Sequence, residues 1–167
     1  MKHKFPRITV LLLACAAAAA LAQDMKLGFV DVERIRRESA PAERASKQME
    51  KEFAPRQQEL QRREAQSKEL KGQLEREGVT LSESDRRGKE QELGRANVEF
   101  QRMQREFRED LTIRRNQEIQ GLMERANRVI RAIAEAEQFD LIVQDAVYRN
   151  PRIDITDRVL KALAEGK

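Results

Sequence analysis

The chain has 167 residues and a formal charge of +4; 37% of its residues are charged, only 4% are aromatic, and it holds one cysteine, one histidine and no tryptophan. So few aromatics leave little material for a large core, and one cysteine with one histidine excludes a disulfide-stapled domain and a Cys/His zinc site.

Residues 1–22 read as an address label. Lys2, Lys4 and Arg7 precede an apolar run from Ile8, and Ala20-Leu21-Ala22 puts small residues where a signal peptidase reads. A basic segment, a short apolar segment and an A-x-A site predict a secretory signal peptide cleaved after Ala22. The run falls short of the roughly 20 apolar residues a membrane span needs. A lipid on Cys15 is the rival reading, but Leu13 is bulky for its place and alanines follow where a polar tether is usual. Cleavage removes three basic residues and no acidic one, leaving 30 basic against 29 acidic residues and a formal charge of +1. Cys15 and His3 leave too, and with them any thiolate nucleophile or histidine base. An exported fold without disulfides points to oligomerisation as its support.

A charged helical hairpin is predicted over residues 41–138, where 21 basic and 20 acidic residues interleave. From Pro41 to Glu77 the seam is Ala42, Ser46, Met49, Phe53, Leu60, Ser67, Leu70 and Leu74, interrupted by Arg56 and Arg63. Pro55 lacks a backbone donor and predicts a bend near Phe53. Gly78 stops this helix, and Ser82 with Asp85 three residues on starts the next. The second helix, from about Glu83 to Gln138, carries Leu93, Ala96, Phe100, Met103, Phe107, Leu111, Ile119, Leu122, Ala126, Val129 and Ile133, with Arg115 interrupting. Two such helices with a short connection form an antiparallel pair. The second is longer, so its Ile-, Leu- and Val-rich end is expected to enter a globular body.

The body is expected to join both ends of the mature chain, residues 23–40 and 139–167. Met25 to Val32 is β-prone, with Leu27, Phe29 and Val32 as burial candidates. Strands at Leu141–Gln144, including Ile142 and Val143, and at Ala146–Arg149 are its expected partners. A short helix is expected from Glu33 to Ser39, and another opens at Thr156-Asp157 and buries Val159, Leu160 and Leu163. This is an α+β fold, mostly α, with the arm inserted into a small sheet. Such a sheet is a thin core for the chain, so edges from several copies are expected to meet.

The signal peptide, "KLGFVDVERI", the charged hairpin and "FDLIVQDAVYRNPRIDITDRVLKAL" together resemble the Skp/OmpH family of periplasmic chaperones across residues 24–164. The resemblance implies a homotrimer whose body is a β-barrel built by three chains, with Leu27, Phe29, Val32, Leu141, Ile142 and Val143 at its core. It implies three arms around a cavity that hold unfolded outer-membrane proteins without ATP, and no cofactor. Met49, Phe53, Phe100, Met103 and Phe107 are then candidates either for seam packing or for adaptable contact with clients. Arg114, Arg115, Arg125 and Arg128 form the least neutralised basic stretch and are candidates for contact with anionic lipid. The near-neutral mature charge departs from the family's basic habit.

Other chemistry finds little footing. Asp145, Asp154 and Asp157 could suggest a cation, but Asp154 and Thr156 sit where helix caps are wanted and Asp157 favours a positive helix end. Gly88-Lys89 lacks the upstream glycine of a phosphate loop. Interleaved charge makes no stripe for nucleic acid. An enzyme is therefore not expected, and a coiled-coil scaffold of the cell envelope is the alternative to a chaperone.

Overall fold

The computed structural model describes residues 25–166; the signal-peptide reading, its cleavage site and Cys15 lie outside them. Strand β1 is Leu27–Phe29, helix α1 Val32–Glu38, α2 Ala40–Glu77, α3 Glu83–Glu137, strand β2 Leu141–Val143, and α4 Thr156–Ala164, with a 3₁₀ turn at Pro151–Ile153 between β2 and α4.

Local chemistry sets the breaks. Asp31 caps α1 by accepting the Arg34 amide at 3.0 Å. Ser39, fully buried, ends α1 and starts α2: its amide donates to the Ile35 carbonyl at 3.2 Å and its hydroxyl accepts the Ala42 amide at 3.3 Å. Pro41 follows within the first turn, where its missing donor costs nothing. Pro55, expected to mark a bend, lies within a helix that continues through it to Glu77. Ser82 caps α3 through the Asp85 amide at 3.1 Å. At the other end Gln138 adopts a left-handed backbone (φ 58°), so that its amide and that of Phe139 satisfy the last carbonyls of α3.

The two helices are roughly 57 Å and 82 Å long at 1.5 Å per residue. Only part of α3 can therefore pair with α2. The surplus enters the body, where Ala126 and Val129 join Val30, Ile35, Ile155, Val159 and Leu163 in one buried cluster. Ile130, Ile133, Phe139, Ile142 and Leu160 pack around it. Both ends of the chain thus close on the base of the arm.

The sheet is smaller than expected. β1 and β2 pair in parallel, Leu27 opposite Leu141 and Phe29 opposite Val143. The predicted strand at Ala146–Arg149 does not form; those residues are irregular, with Val147 and Tyr148 exposed. β1 is the expected partner of that run, and both edges of β1 are already used. One carries β2, and the other bridges Asp154, with the Ile155 amide donating to the Phe29 carbonyl at 2.9 Å.

Side chains lock the ends together. The Asp31 amide donates to the Thr156 hydroxyl at 2.9 Å. Arg34 pairs with Asp157 at 2.8 Å, and Lys26 and Arg158 both meet Glu137. Arg149 lies over the Phe29 ring, 4.5 Å from its centroid, and reaches Asp154 at 3.0 Å.

Candidate functional site

The arm is a regular antiparallel pair. From tip to base, Glu77 meets Lys89, Ser67 meets Asn97, Arg56 meets Asp110 and Glu52 meets Arg114. The numbers of these facing partners add to 164 or 166 throughout, the signature of two uninterrupted helices turning back on one another. Mixed charge on both helices supports three of these levels, each of which offers a cation to a carboxylate, while Ser67 and Asn97 form a neutral, part-buried level. The ion pairs are exposed, and each contributes little on its own.

Apolar packing along the seam is thin. Within α2 only Pro41, Phe53 and Ser67 are buried. Met49, Leu60, Leu70, Leu74, Leu93, Phe100, Met103, Phe107, Leu111 and Ile119 are half-buried. Phe53 meets Phe107 edge to face, 5.7 Å between centroids and 81° between planes. Arg56, which interrupts the seam in sequence, lies over both rings at 5.8 and 5.9 Å while reaching Asp110. An arginine stem can cover aromatic surface and still keep its head in water, so the interruption is accommodated.

The five apolar arm candidates therefore separate. Phe53 is taken up by packing against Phe107, whereas Met49, Phe100 and Met103 keep part of their surface open. Three apolar side chains outside the candidate set are more accessible: Val79 at 95%, Val98 at 69% and Ile113 at 55%. Falling off the seam was the signal for Val98 and Ile113, because an apolar residue at a heptad's outward position has no partner within its own hairpin, while Val79 lies in the turn at the tip.

The basic candidates separate too. Arg114 is not unneutralised: Glu52 lies 3.2 Å and Glu118 2.5 Å away, and these two hydrogen bonds raise its pKa above the ordinary arginine value. Arg115, Arg125 and Arg128 are exposed and form no ion pair among the described residues. Elsewhere the arm neutralises itself. Arg62 and Arg63 hold the Glu59 carboxyl below the usual range, and Arg102 does the same to Glu99.

The body candidates fall into an inner and an outer set. Phe29 is buried under Arg149, and Val32, Ile142 and Val143 are half-buried. Leu27 and Leu141, neighbours across the ladder, are 41% and 51% exposed. Met25, Val147 and Tyr148 are exposed as well, and no strand among the described residues covers the outer edge of β2. Two of the three aspartates tested for a cation have other work: Asp154 accepts the Thr156 amide and hydroxyl, and Asp157 holds Arg34, while Asp145 is exposed. No group of three potential ligands for a metal occurs among the described residues.

A small α/β body with a long, charged, thinly packed hairpin returning into it defines an arm-bearing fold. Residues 26–163 match the family described as "Outer membrane protein (OmpH-like)". A protein of Yersinia enterocolitica named "Chaperone protein Skp" is 32% identical over 151 residues, covering 89% of this chain and 92% of that one. A protein of the same name from Photorhabdus luminescens is 32% identical over 147 residues, covering 87% and 88%. A solved OmpH-like structure from Caulobacter crescentus CB15 superimposes with a TM-score of 0.74 over 86% of each chain at 14% identity, so the fold is shared. The chain belongs to the Skp/OmpH family of periplasmic chaperones.

Proposed function

We propose that this protein is an ATP-independent holdase of the periplasm that keeps unfolded outer-membrane proteins from aggregating. The observation that carries the reading is family membership across nearly the whole chain, at 32% identity to a named chaperone. It is a chaperone and not an enzyme. The arm supplies the physical means. Scattered, partly open apolar side chains such as Met49, Met103, Val98 and Ile113 offer many shallow contacts and no deep pocket. Each contact is weak, but contacts on neighbouring arms raise one another's effective concentration. Interleaved charge keeps the faces hydrated, so a client is not offered a dry surface on which to aggregate. Release follows when the client buries its apolar face in a membrane.

Assembly completes the reading. A homotrimer is supported by the open edge of β2, by the exposed pair Leu27 and Leu141, and by the irregular 146–149 segment, which has no strand partner among the described residues. In this proposal residues 23–40 and 139–167 form the assembling body, with the base of 41–138 inserted, and residues 1–22 are removed after Ala22 on export. Contact with anionic lipid falls to Arg115, Arg125 and Arg128 and not to Arg114.

The test is suppression of light scattering when an outer-membrane protein is diluted from urea, without nucleotide. Full-length protein is expected to suppress it. A trimer lacking the arm tip, about residues 61–106 with the cut helices rejoined in register, is expected to do so poorly. Equal protection by both would remove the arm from the mechanism, and no protection by the intact protein would favour an envelope scaffold. Because the mature chain is almost neutral, protection should weaken only modestly from low to physiological salt.

A further inference from the structure

We propose that the cavity where the arm joins the body receives the free α-carboxylate at the end of an unfolded chain; this rests on the chaperone reading and adds a specific client feature to it. The cavity measures about 610 Å³ and lies between the start of α2, the C-terminal half of α3 and the end of α4. Pro41, Arg44, Ala45 and Gln48 reach it from one face of α2, spaced three, four and seven residues apart. Arg125 and Arg128 reach it from α3.

Three guanidiniums therefore line one concave surface, and none of them has an ion pair among the described residues. The sequence explains why. Three and four residues either side of Arg44 stand Pro41, Ala40, Lys47 and Gln48; around Arg125 stand Leu122, Gly121, Arg128 and Val129. Neither has a carboxylate one helical turn away, unlike Arg63, Arg87 and Arg102, which are all paired at that spacing. Arg128 does have Glu124 one turn back, but Glu124 accepts the Gln120 amide at 3.3 Å. The one acid in the lining, Glu118, is engaged by Arg114 at 2.5 Å. Forked, uncompensated cations in a recess form a receptor for a planar oxyanion.

The rest of the lining selects among anions. Pro41, Ala45 and Leu163 give an apolar wall beside the cations, and the side-chain oxygens of Gln48 and Glu118 are acceptors for N–H groups. The last residue of a polypeptide carries all the complements: a carboxylate for the forks, a side chain for the wall and a peptide N–H for an acceptor. A phosphate dianion matches the first alone. An unfolded client has one such end, so this recess would add one fixed point to the many interchangeable contacts along the arm.

The experiment is fluorescence anisotropy on the full assembled protein, with a labelled hexapeptide ending in leucine as the free acid and as the amide. The amide is expected to bind about tenfold more weakly, the size of one lost charge-assisted contact. Arg44→Gln and Arg125→Gln should each weaken the acid towards the amide, while Arg105→Gln, on an exposed arm face, should leave it unchanged. All three side chains are exposed, so folding, checked by circular dichroism and mass in solution, should be retained. Equal binding of acid and amide overturns the proposal, as does displacement by inorganic phosphate at lower concentration than by acetate. Aggregation suppression is measured on the same preparations. Suppression without acid–amide discrimination sinks the carboxylate site alone, whereas its absence in the unaltered protein sinks the chaperone reading.

Discussion

Phe53 and Phe107 meet edge to face at 5.7 Å, nearer the base than the tip of an arm that otherwise buries little. Phe53 is 7% exposed, in a stretch where most seam residues remain half-open. Phe53→Ala should cost about 3 kcal/mol of arm stability. Phe53→Ala and Phe107→Ala together should show a coupling of about 1 kcal/mol. Hydrogen exchange would locate the effect: amides near 50–60 and 102–112 should lose protection while those near Val129 and Val159 keep theirs. Equal loss in the body would mean that the arm does not open separately.

Four glycines stand in the tip half of the arm. Gly72 and Gly94, and likewise Gly78 and Gly88, stand at the same level by the register that puts Glu77 beside Lys89. A Cβ at Gly88 or Gly94 would meet nothing within 4 Å. Gly88→Ala and Gly94→Ala should each stabilise the arm by about 1 kcal/mol, because alanine loses less backbone freedom in a helix. Gly78→Ala should destabilise it, since its Cβ would stand 2.4 Å from the Leu74 carbonyl oxygen. Urea titration of the helical signal separates the two signs.

Acid should loosen the body through Asp154. Burial pushes this carboxyl's pKa up, but the Thr156 hydroxyl and amide and the Arg149 guanidinium outweigh burial and hold it below the ordinary range. A carboxyl lowered by folding stabilises the fold above its unfolded pKa, roughly 4, and that contribution is lost as pH falls through the lower folded value. Stability should therefore decline below about pH 4. Asp154→Asn should cost about 1–2 kcal/mol at neutral pH and flatten that acid limb. Thermal melts of both proteins between pH 2 and pH 7 are the check (about the range over which a carboxylate titrates), and parallel acid limbs would remove Asp154 as their source.

Exposed and buried apolar residues of the body should respond differently to charge. Leu27→Asp or Leu141→Asp places a carboxylate on an open surface of the protomer, so each should give a folded monomer if the copies meet there. Val159→Asp buries an unpaired charge in the core and should prevent folding altogether, at a cost of several kcal/mol. Light scattering for mass and circular dichroism for helix content distinguish these outcomes. A Leu27→Asp protein that stays trimeric would move the interface elsewhere.

Periodicity and capping determined the arm by themselves. Ser39, Gly78 and Ser82 mark the ends of α2 and the start of α3, and the seam from Leu93 to Ile133 needs no tertiary partner to be read, because helix hydrogen bonds and one-turn ion pairs are local. The same locality places Glu118 one turn from Arg114, so the expectation of an unneutralised Arg114 failed on a pairing the sequence already held. Locality could not tell that Arg44 and Arg125, eighty-one positions apart in the chain numbering, share a recess, nor that Arg114 is held by Glu52 across the hairpin. Strands were the least legible. Leu141–Val143 and Ala146–Arg149 look alike as apolar runs, yet only the first finds β1's open edge, since Asp154 takes the other. A strand is a relation between two backbones, and which backbone is free is decided only when the distant ends of the chain have met.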